Sequence, residues 1–277
     1  MSPRLSVVIP SYNSAPFIEE TMQSILRSDD LDMEVIVSDH SSTDGTWERL
    51  QQFAADPRVS LTQIEKGGGA PRNWNAVTER ASGELIKLVC GDDVLLPGTL
   101  ERQVALLDAN PEATLTACRR NLVDARGKSF MKDWGLKGLN EPMTGPEVMR
   151  AVVQSGGNLL GEPACVMMRR APLVENGSWN PEIPYLIDLA SYTRVLLPNG
   201  GFVPDLHTGA TFRISSGQWS VALSKSQSQQ YIAFTEWVQS TYPGVVTDAD
   251  RRASDRKARM MELKRRGAYL VLRSRMS

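Results

Sequence analysis

Asp92 and Asp93 are the residues whose type and position point most directly to chemistry. They follow residues 84–89, a short apolar segment that reads as a buried strand. Burying an unpaired charge is costly, so two carboxylates at the end of a strand need cations or water around them. A divalent metal ion that also holds a diphosphate is the functional interpretation. A solvated Asp-Asp turn is the ordinary alternative.

Three further polar clusters occupy equivalent positions after apolar segments in the first half of the chain. They are Pro10-Ser11-Tyr12-Asn13, residues 38–42 with Asp39 and Ser41, and Lys66-Gly67-Gly68-Gly69. Ligands of parallel α/β sheets lie beyond the carboxyl ends of the strands. Four clusters at such ends therefore predict one binding rim.

The elements that position these clusters alternate between strands and helices. Apolar periodicity predicts strands over residues 5–9, 33–37, 59–64, 84–89 and 114–118, with helices over 14–28, 44–55, 71–81 and 99–107. Such alternation predicts a parallel sheet with crossover helices. Residues 119–143 are predicted to form irregular strands and turns. The prediction is completed by helices over 145–154, 185–196, 221–240 and 250–273, a strand over 164–169, and a strand or hairpin over 202–214.

Two aspartates near the second predicted strand have different expected roles. Asp39 follows the strand directly, and its carboxylate is suited to accept from a ribose hydroxyl or a base N–H, although it could also cap the next helix. Asp44 is assigned to capping. In the third cluster, Gly68 allows close backbone approach to a ligand, and Arg72 faces either a phosphate or solvent.

Three residues of the second half are candidates for chemistry. Asp188 opens a helix among apolar neighbours, where it is either a helix cap or a general base. Arg213 is either a fixed cation beside a departing phosphate or a surface arginine. For His207, a structural role is the preferred interpretation, and metal or phosphate binding is the alternative.

Composition excludes several classes of protein. The 277 residues are 41% hydrophobic with a formal charge of −1, which favours one large domain or a domain with an appendage and gives no sign of nucleic-acid binding. The three cysteines are an odd number and lie apart, which predicts reduced, buried thiols in a cytosolic protein. No apolar run reaches the length of a membrane span, and no signal peptide is expected.

The four clusters together resemble the family 2 nucleotide-sugar glycosyltransferases, which have the GT-A fold. The matching segments are residues 5–13, 37–46, 67–73 and 90–93, in the family's order and spacing. The resemblance is specific over about residues 4–110, thinner to about 215, and gives nothing firm beyond 220. It implies an α/β fold of the GT-A type, with a mainly parallel central sheet flanked by helices, and a helical C-terminal extension.

The resemblance also implies roles for the candidate residues. Pro10, Ser11, Tyr12, Asn13, Asp39 and Ser41 would contact the nucleoside, while Gly68 and Arg72 would lie along the nucleotide and sugar. Asp92 and Asp93 match the acidic motif that binds Mn²⁺ or Mg²⁺, with Asp93 as the direct ligand. Residues 158–163, with Glu162, border the sugar and acceptor pocket. Asp188 falls at the catalytic base, and Arg213 near the diphosphate.

Three positions depart from the family's pattern. The common Asp-Asp-Gly-Ser is Asp39-His40-Ser41-Ser42 here, which bears on nucleoside contacts. The frequent Glu-Asp at the base is Ile187-Asp188, and Ser215 stands where a histidine usually follows the arginine by two residues. The last difference bears on metal or phosphate handling.

The expected activity is metal-dependent, inverting transfer of a sugar from a UDP- or dTDP-linked donor to a saccharide or lipid-linked acceptor, in bacterial surface polysaccharide or glycoconjugate synthesis. A sugar-phosphate nucleotidyltransferase and a non-catalytic nucleotide-sugar binding module are the alternatives. The expected domain covers residues 1–215, with a nucleotide-binding half over 1–118 and an acceptor-binding half over 119–215.

The remaining residues, 216–277, are expected to form a helical, basic extension. Residues 248–277 carry ten Lys and Arg against four Asp and Glu. A solvated helix face is the default interpretation. Docking on anionic lipid is the functional alternative and would place a cytoplasmic protein at the inner face of the membrane. A homodimer formed through this helix is a third interpretation.

Overall fold

The computed structural model describes residues 2–214 and 226–272, with side chains as far as residue 267. The strands within these ranges are β1 Leu5–Ser11, β2 Met33–Asp39, β3 Val59–Gln63, β4 Leu85–Leu88, β5 Val94–Leu95, β6 Ala113–Val123, β7 Ser129–Trp134, β8 Met143–Thr144, β9 Val166–Arg169 and β10 Gly201–Arg213. The helices are α1 Ile18–Leu26, α2 Thr46–Gln51, α3 Gly69–Glu79, α4 Thr99–Ala109, α5 Gly145–Ser155, α6 Arg170–Glu175, α7 Ile187–Leu196, α8 Gln227–Thr241 and α9 Asp248–Leu272.

All the strands join one sheet, whose order is β3-β2-β1-β4-β9-β6-β10-β5, with β7 on β6 and β8 on β10. Strands β3, β2, β1 and β4 are parallel, as the alternation of strands and helices predicts. Strand β9 then enters antiparallel to both β4 and β6. The sheet is therefore mixed, and its parallel order is carried by the first half of the chain and by the β6–β10 pair.

The core lies on both faces of this sheet. Every residue of β1 and of β4 is buried, which explains why these strands are continuous apolar runs. Helix α1 covers one face with Ile18, Met22 and Ile25, each 0% exposed. The lysine within β4, Lys87, is also fully buried, and its ammonium donates to Gln103 Oε1 at 2.8 Å. Burial lowers the pKa of this lysine.

The second half contains irregular strands and turns over residues 119–143, as the sequence predicts. This segment extends β6 and forms β7 and the start of β8, and the pairing of β6 with β7 has shifts in register. Helix α6 was not predicted, because Pro172 interrupts its pattern, yet proline is tolerated in the first turn of a helix. The segment 164–169 is a 3-10 turn, Pro163–Cys165, followed by the strand β9.

Helices α8 and α9 pack beside α5. Asp250 of α9 accepts from Arg150 and Gln154 of α5, at 3.0 and 2.6 Å. The predicted helix over 221–240 begins at Gln227 within the described residues, and its first part, the motif Ser215-Ser216-Gly217-Gln218 and the predicted boundary at residue 215 lie outside them. Among the described residues, no helix is both long and apolar enough to cross a bilayer.

Candidate active site

Strands β1 and β2 bring the first two clusters side by side. Ser11 pairs with Asp39 in the parallel register, and both side chains are buried at the carboxyl ends of their strands. The turn after β1 packs on the turn after β2: the Asn13 N–H donates to Ser42 Oγ at 2.9 Å, and the Thr43 N–H donates to Asn13 Oδ1 at 3.0 Å. The two loops therefore form one wall.

Asp39 is held inside this wall. Its carboxylate accepts from the Ser42 N–H at 3.1 Å and from the Ser42 hydroxyl, and Gln63 Nε2 donates to it at 3.4 Å. Ser41, in the left-handed region at φ 54°, turns away and donates to the Ile64 carbonyl at 2.7 Å. Asp39 therefore shapes its own loop, and its predicted contact with a nucleoside stays a prediction.

Several buried polar atoms on this wall have no hydrogen-bond partner among the described residues. They include Ser11 Oγ, His40 Nε2 and Asn73 Oδ1. Asn73 donates its amide to the Ser11 carbonyl at 3.0 Å, and the His40 N–H donates to the same carbonyl at 2.9 Å, so the three residues meet at one point. Buried polar groups without partners are rare, and a ligand is one of the explanations for them.

Tyr12 lies over this point. Its ring is 52% exposed and its centroid stands 6.0 Å from that of His40. Pro10 is buried in β1 opposite Ser38. An exposed aromatic ring above unsatisfied polar atoms offers both a stacking surface and hydrogen-bonding groups to a flat, polar ligand.

The glycine loop before α3 is shaped around Arg72. Gly67, Gly68 and Gly69 all have positive φ, and a Cβ on Gly68 would lie 2.8 Å from the Arg72 Cβ. Arg72 is exposed and donates to the Glu65 carbonyl at 3.0 Å. The cation therefore folds back along its own loop at the open side of the rim.

Asp92 and Asp93 follow β4 in a tight turn closed by the Asp93 N–H and the Cys90 carbonyl, at 3.1 Å. Asp93 is 1% exposed, and its pKa is raised well above the usual value by burial and by the charges of Asp92 and Glu162. Such a carboxylate is costly as an anion unless a cation comes close. The sequence could not tell how deeply Asp93 is buried.

Arg213 lies beside this turn, at the end of β10. Its N–H donates to Asp93 Oδ1 at 3.4 Å and its Nε to the Asp92 carbonyl at 3.2 Å. The guanidinium is 4.5 Å from the ring centroid of Phe17 and donates to Glu20 Oε2 at 2.9 Å. Because this arginine is buried and bonded, the surface alternative is wrong. Its predicted action on a phosphate stays a prediction.

Asp188 stands in the first turn of α7 and is half-buried. Helix α7 has its N-cap at Leu186, so Asp188 is not the cap residue. Its Oδ1 accepts from the Leu189 N–H at 2.7 Å, and Asn158 Nδ2 donates to its Oδ2 at 3.2 Å. Burial raises the pKa of Asp188 to about 7. A carboxylate with that pKa is suited to accept a proton near neutral pH.

Glu162 forms an ion pair with Arg120 of β6. Arg120 Nη2 donates to Glu162 Oε1 at 3.2 Å. The charge of Glu162 acts to raise the pKa of both Asp93 and Asp188. Nothing in the local sequence singles out Arg120, and the sequence analysis missed it. The sign of its position is a pair of glycines, Gly135 and Gly161, which leave room for its side chain.

Four carboxylates lie near enough to Cys90, which follows β4, for their charges to act on it. Besides burial, the charges of Asp93, Asp92, Asp188 and Glu162 all raise the pKa of this thiol. The turn after β4, the loop after α5 and the start of α7 therefore contribute to one acidic pocket. The remaining candidate, His207, is 73% exposed at its side chain and contacts Asp205 at 2.9 Å, away from the pocket.

The Asp92-Asp93 turn offers two carboxylates that could hold a metal ion. Within residues 2–214 and 226–272, no three His, Cys, Asp or Glu side chains form a set that could hold a metal ion. Cys118 and Cys165 are buried and Cys90 partly so, and all three are free thiols. Two carboxylates are nonetheless enough where substrate phosphates complete the coordination, as is usual for Mg²⁺.

Comparison with known proteins identifies the family. The model of glycosyl transferase family 2 matches residues 6–177. The chain belongs to this family. The uncharacterised protein MT1568 of Mycobacterium tuberculosis is 31% identical over 222 residues, which are 76% of this chain and 69% of that protein.

Two further relatives have names that state a transferase activity. The GalNAc(5)-diNAcBac-PP-undecaprenol beta-1,3-glucosyltransferase of Campylobacter jejuni is 32% identical over 142 residues, 50% of this chain and 44% of that protein. Poly(ribitol-phosphate) beta-N-acetylglucosaminyltransferase TarS of Staphylococcus aureus is 31% identical over 108 residues, 38% of this chain and 19% of TarS. The matches span less than half of either protein.

Solved structures confirm the GT-A type fold. Residues 1–349 of S. aureus TarS in complex with UDP-GlcNAc give a TM-score of 0.67 at 19% identity, over 93% of this chain and 70% of that one. The mannosyltransferase PcManGT of Pyrobaculum calidifontis, in complex with GDP-Man and Mn²⁺, gives 0.61 at 21% identity, over 85% and 65%. The predicted fold class is therefore correct, with a mixed central sheet and C-terminal helices.

Proposed function

We propose that this family 2 glycosyltransferase is a metal-dependent, inverting enzyme that moves a sugar from a UDP- or dTDP-linked donor to an acceptor hydroxyl. The observation that carries the proposal is the acidic pocket, in which the buried Asp93, held by Arg213, and Asp188, held by Asn158, are both subject to the charge of Glu162. One site offers a place for a departing diphosphate, and the other a base. A single displacement between them inverts the anomeric configuration.

The nucleoside is proposed to bind at the wall formed by the β1 and β2 loops. The unsatisfied atoms of Ser11, His40 and Asn73 support this assignment, with Tyr12 as the surface for the base and Asp39 for a ribose hydroxyl or a base N–H. Arg72 and the glycine loop, which includes Gly68, would then lie along the phosphates, where an exposed cation and free backbone N–H groups favour an anion.

The Asp92-Asp93 turn fits Mg²⁺ or Mn²⁺. The fit rests on Asp93, a carboxylate buried beside a second carboxylate, whose raised pKa marks a place where a cation would relieve the repulsion. Asp93 would be the direct ligand, with Asp92 beside it. A bound metal ion would neutralise charge on the leaving diphosphate. Arg213 would keep the turn in place and add a positive charge on the same side.

Asp188 would act on the acceptor. The acceptor oxygen forms a bond to the anomeric carbon as the bond from that carbon to the diphosphate breaks, and the hydroxyl proton passes to the Asp188 carboxylate. Asn158 orients that carboxylate through its hydrogen bond to Oδ2, and the Leu189 N–H fixes Oδ1. The nucleoside diphosphate leaves with the electron pair of the broken bond, and Asp188 keeps the proton of the acceptor hydroxyl.

Bacterial surface polysaccharide or glycoconjugate synthesis is the proposed setting. The distribution of charged and apolar side chains on α9 supports a lipid-linked acceptor. The acids Asp250 and Glu262 point into the protein, at 8% and 9% exposure. The exposed face carries Arg252, Arg256, Arg259, Met260, Leu263, Lys264 and Arg266. Cations around two apolar side chains suit an anionic lipid surface.

The membrane proposal is tested by sedimentation with phosphatidylglycerol vesicles, with phosphatidylcholine as reference. Changing Arg252, Arg256 and Arg259 to Gln should abolish sedimentation at physiological salt, since each cation near an anionic surface contributes about 1 kcal/mol. Changing the exposed Arg27, Lys132 and Lys137 to Gln removes the same charge elsewhere and should have no effect. Equal binding of both variants would dismiss the α9 face, and a dimer lost only in the first would assign the face to self-association.

The activity itself is tested by a donor screen. The protein is incubated with UDP- and dTDP-sugars and Mn²⁺, and the melting shift identifies the donor that binds. Transfer to saccharide and polyprenyl-diphosphate acceptors is then followed by NMR of the anomeric proton, and the proposal expects inverted configuration. A parallel incubation with UTP or dTTP, a sugar 1-phosphate and Mn²⁺ tests the first alternative, since a nucleotidyltransferase would form a nucleotide sugar and release pyrophosphate. Binding of UDP- or dTDP-sugars without any turnover would indicate a binding module.

A further inference from the structure

Arg120 is enclosed by two loops that are shaped around its guanidinium. A Cβ on Gly135 would lie 2.9 Å from Arg120 Nη1, and a Cβ on Gly161 would lie 3.0 Å from the same atom. Both glycines have positive φ, 118° and 95°, which side chains rarely adopt. Two separate segments of the chain therefore each place a glycine next to the Arg120 guanidinium.

The cation is buried while its partner reaches the pocket. The Arg120 side chain is 5% exposed and that of Glu162 is 25% exposed. Nη2 donates to Glu162 Oε1 at 3.2 Å, and Nε contacts Glu162 Oε2 without a hydrogen bond between them. Neither Nε nor Nη1 has a hydrogen-bond partner among the described residues. Arg120 thus anchors Glu162 from below, and Glu162 presents its charge to the pocket.

The same loop reaches Asp188. Asn158 Nδ2 donates to the Gly161 carbonyl at 2.9 Å as well as to Asp188 Oδ2. Asn158 Oδ1 accepts from the N–H groups of Leu160 and Gly161, both at 3.0 Å. The loop that encloses Arg120 is therefore held by the residue that orients the proposed base.

We propose that Arg120 and Glu162 form a positioning pair for Asp188, in which the two charges act on the base in opposite directions and the enclosed cation keeps the carboxylate beside the pocket. This inference rests on the proposed function of Asp188, which it deepens. Arg120 touches no substrate and acts through Glu162 and the 158–162 loop.

Other groups near Asp188 also bear on its proton affinity. Burial is the largest cause of its raised pKa, the Leu189 N–H opposes it, Glu162 raises the pKa and Arg120 lowers it. Tyr192 of α7 and Cys90 after β4 also interact with Asp188, and the pKa of each is itself raised, so both stay neutral near pH 7. Asp92 and Asp93 belong to the same pocket, but Glu162 and Arg120 differ from them because the 158–162 loop connects the pair to Asp188 through Asn158.

The test measures Asp188 directly. The full-length protein is labelled with aspartate carrying ¹³C in its carboxyl group, and the Asp188 signal is assigned by its loss in Asp188→Asn. Titration of the metal-free protein gives the midpoint. We expect Glu162→Gln to lower this midpoint by about one pH unit, since removing a like charge favours the carboxylate. An unchanged or raised midpoint in Glu162→Gln overturns the inference.

The cation is tested in the Glu162→Gln background, where no unpaired carboxylate complicates the result. Adding Arg120→Met should raise the midpoint again, and Arg120→Lys should leave it near that of Glu162→Gln, because the charge remains. Equal midpoints for the Met and Lys versions would overturn the role of Arg120. In turnover, Arg120→Lys with Glu162 present should lower kcat several-fold with little change in the donor KM.

Arg102→Met serves as the matched control. Arg102 pairs with the buried Asp205 at 3.2 Å, outside the pocket. This variant should lose stability as Arg120→Met does, yet leave the Asp188 midpoint unchanged, and a shift equal to that of Arg120→Met would reduce the pair to a structural role. Because the titration needs no donor, its failure is distinct from failure of the proposed function, which shows as absent transfer.

Discussion

The two sides of the pocket are built in different ways. On the proposed nucleotide side, the neutral groups Ser11 and Asn73 lie at the end of β1 and in α3, and Asn73 donates to the Ser11 carbonyl. On the proposed acceptor side, contacts cross the fold: Arg120 pairs with Glu162, and Asn158 donates to Asp188. In our proposal, a ligand completes the hydrogen bonds of the first side, and the second side tunes the proton affinity of one carboxylate.

If the two sides are separable, changes on one should leave the other intact. The nucleotide side should control affinity for the donor, because its groups bind equally before and during the reaction. The acceptor side should control kcat, because its groups matter only when the proton moves. Asp92 and Asp93 stand between them and should affect both.

The largest effect is expected at Asp93, which stands between the two sides. Asp93→Asn replaces the proposed metal ligand and should reduce transfer on the order of 10²–10³-fold, the range seen when charge stabilisation at a leaving group is lost. The Mn²⁺-dependent melting shift with UDP should disappear with it. Asp30→Asn, on the exposed surface, is the control. Full Mn²⁺-dependent UDP binding by Asp93→Asn would separate Asp93 from the metal.

The pH dependence comes next in size. Burial raises the pKa of Asp188 to about 7, and a base must be deprotonated, so kcat should fall as pH drops through about 7. At pH 6 roughly a tenth of the plateau rate should remain, since protonation of one group changes the rate tenfold per pH unit. The UDP dissociation constant should not follow this limb. A rate that is flat between pH 6 and 8 would argue against Asp188 as the titrating base.

Asp39 and Asp44 offer a matched pair on the nucleotide side. Asp39→Asn should weaken UDP binding about tenfold, because hydrogen bonds to a charged group contribute roughly 1.5–3 kcal/mol. Asp44 accepts from the Ala15 N–H at 3.0 Å and the Thr46 N–H at 3.1 Å, so Asp44→Asn should lower Tm alone. Calorimetric titration with UDP and Mn²⁺ distinguishes them. Equal affinities would leave Asp39 with a purely structural role.

The smallest effect belongs to Asn158. Asn158→Ala removes the hydrogen bond to Asp188 and loosens the 158–162 loop, which should lower kcat about three- to tenfold, the equivalent of one ordinary hydrogen bond. Donor KM should change little. A rise in KM with an unchanged kcat would mean that this loop binds the donor, and the division between the two sides would then be wrong.

Much of the nucleotide side could be predicted from the sequence. Each of its clusters follows an apolar strand within a few residues, and parallel strands bring their carboxyl ends together. The sequence could not reveal that β9 enters antiparallel between β4 and β6, which is what carries Glu162 toward Asp93. It also could not reveal the pairing of β5 with β10, which brings Arg213 against the Asp92-Asp93 turn.

Arg120 illustrates the limit most clearly. It lies in a segment that shows no regular pattern, 42 residues from its partner Glu162. Nothing in the sequence distinguishes Gly135 and Gly161 from other glycines, because the space that each leaves open is visible only once the fold brings β6 beside both loops. Pairs of charges across a fold are set by tertiary packing, and local pattern carries no record of them.

The central claim is that one carboxylate on the acceptor side does the proton transfer while the other side binds the donor. The most direct measurement is Asp188→Asn, assayed for both steps in the same preparation. For Asp188→Asn we expect an unchanged melting shift with UDP and Mn²⁺. Transfer should fall on the order of 10²–10⁴-fold, which is the contribution of a general base. Transfer at the wild-type rate by Asp188→Asn would contradict the account.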